Sequence, residues 1–210
     1  MKTATPFLFS ILLLAHAYAD TPSTKSSSEL RKVGDFHAID IAGTMQVEAT
    51  IGKAIRVEVV GDPDRFKQVL TDVKDGTLIV DTRGKLENSK MRVVVTVPDL
   101  SSVSVSGTGK LELSGIANGK LDASIGGTGA MKLAGTTGAL NVAIGGSGQL
   151  AAGDLVAKAV AVNVPGTGQV TVHATQSFAA VVAGTGAITV EGKPSSVKKS
   201  VTGTAVIDVR

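Results

Sequence analysis

The sequence predicts an all-β fold, a parallel β-helix in which coils of about 19–20 residues stack into a solenoid. The first observation is a Gly-Thr-Gly tripeptide that recurs at steps of 18 to 20 residues. The second is a fixed pattern of aliphatic residues on both sides of it. The copies begin at Gly107, Gly127, Gly146 (with Ser for Thr), Gly166 and Gly184, and a diverged copy begins at Gly203. Such a period indicates that each coil buries its apolar side against the next coil.

Aliphatic residues alternate with other residues in the segments that flank each tripeptide. Side chains of a β-strand point alternately to opposite faces, so residues two apart share a face. Two positions before the first glycine stand Val105, Ile125, Ile144, Val164, Val182 and Val201, and four positions after it stand Leu111, Met131, Leu150, Val170, Ile188 and Ile207. We therefore expect these residues to form inward-facing files, each side chain lying above its counterpart in the previous coil.

An earlier segment reads as a diverged copy of the same repeat. Ile41 precedes Gly43-Thr44-Met45 at the spacing with which Val105 precedes its own tripeptide. The match predicts that Ile41 stacks with Val105. The predicted organisation is a single β-helix domain over residues 34–210, with diverged coils in 34–97 and regular coils in 98–210.

One short helix is predicted near residues 63–72. Asp62 can cap a helix N-terminus with its carboxylate, and Pro63 suits the first helical position, where an N–H group is not needed. Apolar residues follow at helical spacing, namely Phe66, Val69, Leu70 and Val73. We expect this helix to cover the open end of the coil stack, because an uncovered strand edge invites aggregation.

The first 19 residues have the pattern of a signal peptide. Lys2 supplies a basic start, residues 7–15 are mostly apolar, and Ala17-Tyr18-Ala19 places small residues where a signal peptidase cuts. We predict cleavage after Ala19 and export to the periplasm, the cell surface or the extracellular space. Residues 20–33 are polar and are predicted to form a flexible linker.

Composition argues against several function classes. The formal net charge is only +3, and the chain has no Lys/Arg block beyond Lys198-Lys199, so a nucleic-acid partner is not expected. The chain contains no Cys, so an exported form must be stable without disulfides. It contains no Trp, and its one Tyr lies in the leader, so the aromatic plates that usually stack on sugars are missing.

No catalytic or metal-binding cluster is evident. Outside the leader the histidines are His37 and His173, far apart in sequence, and a zinc site without Cys would also need carboxylates. The acidic residues of the coils stand singly, at Glu112, Asp122, Asp154, Glu191 and Asp208. We expect Glu112 to stack near Lys132 as an exposed ion pair. We expect no catalytic residues, no bound cofactor and no metal site.

One candidate binding surface remains, a ladder of hydroxyls at the centre of the tripeptides. Its members are Thr108, Thr128, Ser147, Thr167, Thr185 and Thr204, with Thr44 in the diverged copy. The alternative is that Ser and Thr serve only the turn, since their hydroxyls suit tight corners.

The elements assembled so far resemble one bacterial family. They are Phe36 with Ile39 and Ile41, Gly61-Asp62, Asp75-Gly76-Thr77-Leu78, Val97-Pro98-Asp99-Leu100 and the repeated Gly-Thr-Gly, in that order. This order is similar to that of the putative auto-transporter adhesin head GIN domain family. The resemblance implies a right-handed β-helix in an exported, envelope-associated protein, with no catalytic residues to carry over.

Two function hypotheses follow. The first is a non-enzymatic, exported module that serves the cell envelope as an adhesion-like or interaction surface, with an envelope protein or a glycan as partner. The alternative is a polysaccharide-binding or polysaccharide-cleaving β-helix enzyme, which requires several carboxylates on one face. Self-association is a further expectation, because the last strand, Val206 to Arg210, has no evident cap. Either another subunit covers this end or charges such as Asp208 and Arg210 protect it.

Overall fold

The predicted all-β solenoid is confirmed by a computed structural model, which describes residues 27–84, 86 and 90–210. Stacked coils form a β-solenoid of about five turns. The leader and its cleavage site after Ala19 lie outside the described residues.

Fifteen strands and one short 3-10 helix make up the described part of the chain. None of its helices is long and apolar enough to cross a membrane. The strands are β1 (Ser27–Arg31), β2 (Ala38–Ile41), β3 (Gln46–Ile51), β4 (Arg56–Gly61), β5 (Val69–Lys74), β6 (Thr77–Thr82), β7 (Arg92–Val97), β8 (Ser102–Val105), β9 (Lys110–Ile125), β10 (Ala130–Ile144), β11 (Gln149–Val164), β12 (Gln169–Val182), β13 (Ala187–Glu191), β14 (Ser196–Val201) and β15 (Val206–Val209); the helix is Pro63–Gln68.

Parallel pairing builds two faces of the solenoid. The front face carries, in spatial order, β7, β3, the first halves of β9 to β12, then β13 and β15. The back face carries β6, β2, β8, the second halves of β9 to β12, then β14. Strand β3 lies between β7 and β9, so the first coil in sequence is the second coil in space.

The diverged copy occupies the predicted place. Ile41 pairs with Val105 across β2 and β8, and Val47 pairs with Leu111 across β3 and β9. The file that continues through Ile125, Ile144 and Val164 is at most 2 % exposed. The inward files therefore form one continuous aliphatic core.

The predicted helix over 63–72 is wrong in its second half and in its type. Asp62 does cap it, accepting a hydrogen bond from the Asp64 backbone N–H at 3.1 Å, but the segment is a 3-10 helix that ends at Gln68. Residues Val69–Lys74 instead form β5, which pairs antiparallel with β6. A ladder of inter-strand hydrogen bonds outweighs a local helical spacing that would bury few side chains.

Antiparallel strands close the N-terminal end of the stack. Strand β4 pairs with β7, β1 pairs with β4, and β5 pairs with β6. The predicted linker is therefore wrong for Ser27–Arg31, which form β1, and Arg31 Nη2 donates to the Phe66 carbonyl at 2.6 Å. Residues 20–26 lie outside the described residues.

The second corner of each regular coil is a bend inside a continuous strand. Strands β9 to β12 are 14 to 16 residues long and pass from the front face to the back face without ending. The pairing register shifts between Leu133 and Gly135, where the backbone of Gly135 has a φ of +133°. A bulge at a glycine turns the strand there.

Candidate binding surface

The Gly-Thr-Gly corner is held together by close contact between coils. The Thr128 N–H donates to the Gly107 carbonyl at 3.2 Å, and the Ser147 N–H donates to the Gly127 carbonyl at the same distance. A Cβ atom at Gly127 would lie against the Gly107 carbonyl oxygen, well inside 3.0 Å. The first glycine of the tripeptide is therefore required by the approach of the coil beneath it.

The hydroxyl ladder lies on the outside of this corner. All of its members are exposed: Thr44, Thr108, Thr128, Ser147, Thr167, Thr185 and Thr204. Ser147 Oγ and Thr167 Oγ1 lie 2.8 Å apart and share a hydrogen bond. The other ladder hydroxyls have no side-chain hydrogen bond within the described part of the chain, so they face solvent with free donors and acceptors.

A shallow trough of about 300 Å³ runs beside the ladder on the front face. Its outward-facing floor residues are Ala130 and Ala151, and it is bordered by Lys110, Lys132, Gln149, Gln169 and Thr171. Gln149 and Gln169 lie opposite each other across β11 and β12. Each follows the second glycine of its tripeptide, so both border the ladder as well. Sequence reasoning missed this trough, although alanines at outward positions were a readable signal.

A second groove of about 370 Å³ on the front face collects charged side chains. Glu48 and Glu112 are neighbours across β3 and β9, and Lys132 and Asp154 complete the charged lining. Acids that stand singly in the sequence are thus brought together. Lys132 does lie beside Glu112 across β9 and β10, as expected. The expected ion pair between them is wrong, because Glu112 bonds Lys110 at 2.6 Å, while Lys132 lies 3.6 Å from Asp154.

Basic side chains lie beside these carboxylates. The hydrogen bond from Lys110, together with its charge, holds the pKa of Glu112 below its usual range. Arg92 lies 3.4 Å from the carboxylate of Glu48. A general acid needs the opposite shift, a raised pKa that keeps the proton on the carboxyl group near neutral pH.

The pKa values of two other acids are also lowered. Asn141 donates to Asp122 at 2.7 Å, and this bond, followed by that from Lys120, lowers the pKa of Asp122. Hydrogen bonds from Ser28 and then Arg56 lower the pKa of Glu58.

Aromatic and histidine side chains do not assemble a site. Phe36, Phe66 and Phe178 are buried, so they offer no ring for a sugar to stack on. His37 precedes β2 and His173 lies in β12, with four strands stacked between β2 and β12 on the back face. Among the described residues, no three metal-ligating side chains converge.

Solved structures share this architecture. A putative adhesin from Bacteroides fragilis NCTC 9343 is similar with a TM-score of 0.72 and 26 % identity, covering 90 % of this chain and 99 % of that chain. A putative adhesin from Parabacteroides distasonis ATCC 8503 is similar with a TM-score of 0.52 and 20 % identity, over 90 % and 98 % of the two chains. A putative lipid binding protein from the same organism is similar with a TM-score of 0.50 and 20 % identity, covering 88 % of this chain and 96 % of that chain. No curated protein sequence matches the chain.

The family comparison agrees with the order of elements along the chain. The model of one family matches residues 35–194, from the residue before Phe36 in the first diverged coil to the turn before β14. This range contains both faces of the solenoid and every tripeptide except the diverged last copy. The chain belongs to the putative auto-transporter adhesin, head GIN domain family.

Proposed function

We propose that this protein is an exported, non-enzymatic, adhesion-like module of the cell envelope that binds a repetitive polymer, a glycan in the first instance. The family to which it belongs and the two structures named as adhesins support a role in surface attachment. Export also rests on the signal-peptide pattern of the first 19 residues.

The observation that carries the proposal is the hydroxyl ladder beside the trough. Adjacent strands in a sheet are about 4.8 Å apart, so the ladder residues repeat at about that interval along the solenoid axis, and the hydroxyls of Ser147 and Thr167 turn toward each other to bond at 2.8 Å. Gln149 and Gln169 add amide donors and acceptors along the same strip. A regular row of exposed hydrogen-bonding groups suits a ligand that is itself a regular chain of hydroxyls.

The hydroxyl ladder and the adjoining Gln149 and Gln169 offer no aromatic rings, but their hydrogen-bonding groups repeat from coil to coil. A single hydrogen bond to a ligand contributes only about 1 kcal/mol after desolvation. Several such bonds along one polymer act together, because each bond formed holds the next unit close to its own site. The expected ligand is therefore a polymer rather than a single sugar.

The absence of a catalytic role is supported by the state of the carboxylates. Glu48, Glu112 and Asp154 each lie beside a basic side chain, and hydrogen bonding lowers the pKa of Glu112. Carboxylates that are paired with basic side chains on an open groove suit a solvated surface better than proton transfer.

Binding of the mature chain to an array of neutral and acidic glycans tests the proposal. The informative variant is Thr108→Val, Thr128→Val and Thr185→Val together, since valine keeps the shape of threonine and these three hydroxyls bond no described protein atom. At about 1 kcal/mol for each hydroxyl, binding should weaken roughly a hundredfold. Thr136→Val, an exposed threonine at the opposite corner, is the control.

Two results would overturn the proposal. One is a glycan ligand that the triple variant binds as well as the unchanged protein does. The other is glycan turnover that disappears in Glu112→Gln, because this would establish the enzymatic alternative.

A further inference from the structure

The last inward position of one buried file is a lysine. On the back face this file runs through seven aliphatic side chains, each at most 4 % exposed, and ends at Lys199. Its members before Lys199 are Leu78, Ile39, Val103, Ala123, Val142, Val162 and Ala180. Lys199 pairs in register with Ala180 and is exposed, because no coil formed by the described residues lies above it.

The C-terminal end of the solenoid is open in the described part of the chain. There, strands β14 and β15 each pair with one strand only, β12 and β13 respectively, so one backbone edge of each is free. The inward-facing Val197 and Val201, which would be buried in any earlier coil, are 43 % and 44 % exposed. Free edges with apolar inward positions invite another strand to add. The N-terminal end differs, because β1, β4 and β5 cover it.

Lys199 occupies the middle of this open end. Its side chain crosses from β14 toward the opposite face, and Nζ donates to the Ile207 carbonyl of β15 at 3.2 Å. No carboxylate of the described residues lies within ion-pair distance of it. The sequence predicted that charges such as Asp208 and Arg210 protect this end, and these two side chains form an ion pair at 3.1 Å. Asp208 pairs in register with Thr189 and, like it, faces outward.

We propose that Lys199 prevents a second copy of this chain from stacking on the C-terminal end of the solenoid. A further coil stacked on β14 would bury the ammonium group in an aliphatic file without a counter-ion, which is strongly unfavourable. An inward-pointing charge is one of the known means by which a free sheet edge is protected. The neighbouring Lys198 faces outward and cannot act in this way.

The test compares two lysine replacements on the same strand. Lys199→Val continues the aliphatic file, whereas Lys198→Val removes an equal charge from the outer face. In sedimentation velocity across a concentration series, the unchanged protein and Lys198→Val should remain monomeric. Lys199→Val should associate, with an apparent dissociation constant at least tenfold lower than that of Lys198→Val. Lys199→Met, which removes the charge but keeps the long stem, should associate as well.

A rescue variant separates charge at this end from general destabilisation. In Lys199→Val with Val201→Lys, the charge returns to an inward position two residues along β14, and the protein should be monomeric again. Hydrogen exchange in the associated Lys199→Val should show new protection within 196–209. The proposal is overturned if Lys199→Val and Lys198→Val have the same mass at all concentrations. It is equally overturned if the unchanged protein already associates through 196–209.

Discussion

The hydroxyl of Thr137 donates a hydrogen bond to the side-chain carbonyl of Asn118 at 2.7 Å, across two coils. Asn118 Nδ2 in turn donates to the Leu100 carbonyl at 2.7 Å, which extends the connection to a third coil. Thr137 is the buried polar residue of the described chain and is 5 % exposed. This chain of hydrogen bonds satisfies polar groups at the second corner, where the strands bulge.

Thr137→Val should destabilise the protein by about 1 kcal/mol, because it leaves Asn118 Oδ1 without its donor. The free energy of unfolding from urea titration measures this loss. Thr136→Val is the matched control, since its side chain is exposed and the same hydroxyl is removed; its effect should stay within about 0.5 kcal/mol of zero. Equal midpoints for the two variants would contradict a structural role for the Thr137 hydroxyl.

Two adjacent glycines should respond oppositely to alanine. At Gly127 the new Cβ would meet the carbonyl of Gly107 in the coil below, and the coils would have to separate, at a cost of about 1–3 kcal/mol. At Gly126 nothing lies within 4 Å of the new Cβ. Gly126→Ala should therefore be neutral or stabilising by up to about 1 kcal/mol, since alanine restricts the unfolded chain.

Thermal unfolding of the two alanine variants, each compared with the unchanged protein, checks this pair. If Gly127→Ala melts at the temperature of Gly126→Ala, the contact between coils at the tripeptide does not require glycine.

The inward files could be predicted from the sequence because burial in a strand follows a local period of two. Ile41 and Val105 are far apart in sequence, yet the spacing around their tripeptides predicted the register that pairs them. The same period, applied four residues before Gly203, places Lys199 inward. Composition alone shows only a pair of lysines at Lys198-Lys199, and the alternation is needed to tell the inward lysine from the outward one.

The order of the first two coils could not be predicted. Strands β3 and β7 both show simple alternation, and nothing local indicates that β7 stacks beneath β3. The helix predicted over 63–72 was wrong from Val69 onward for a related reason, because pairing with β6 determines the conformation of Val69–Lys74. Interactions between strands distant in sequence override local spacing in both cases.

The ladder could be predicted from the sequence more completely than the trough. Ladder members such as Thr128 and Thr167 share one position in every repeat, so their alignment followed from the period alone. The trough residues align in the same way, since Ala130 and Gln149 each follow the last glycine of their tripeptide and pair across β10 and β11. The trough itself depends on which of these outward side chains are small, and this differs from coil to coil, because Ala130 lies between Lys110 and Gln149.

Asp122 should make stability fall in acid. Hydrogen bonds from Asn141 and then Lys120 lower its pKa in the folded state, so its contribution is present above the unfolded pKa and is lost as the pH falls through the folded pKa. The window therefore lies below about pH 4. The side chain is 46 % exposed, which limits the effect to about 1 kcal/mol or less.

The free energies of unfolding of the unchanged protein and Asp122→Asn, measured from about pH 6 to about pH 2.5, test this window. The stability advantage of the unchanged protein should shrink as the pH falls, because asparagine does not titrate. Asp99→Asn, in the loop between β7 and β8, controls for the loss of one negative charge. An advantage over Asp122→Asn that stays constant down to the lowest pH would show that these hydrogen bonds do not favour the ionised carboxylate.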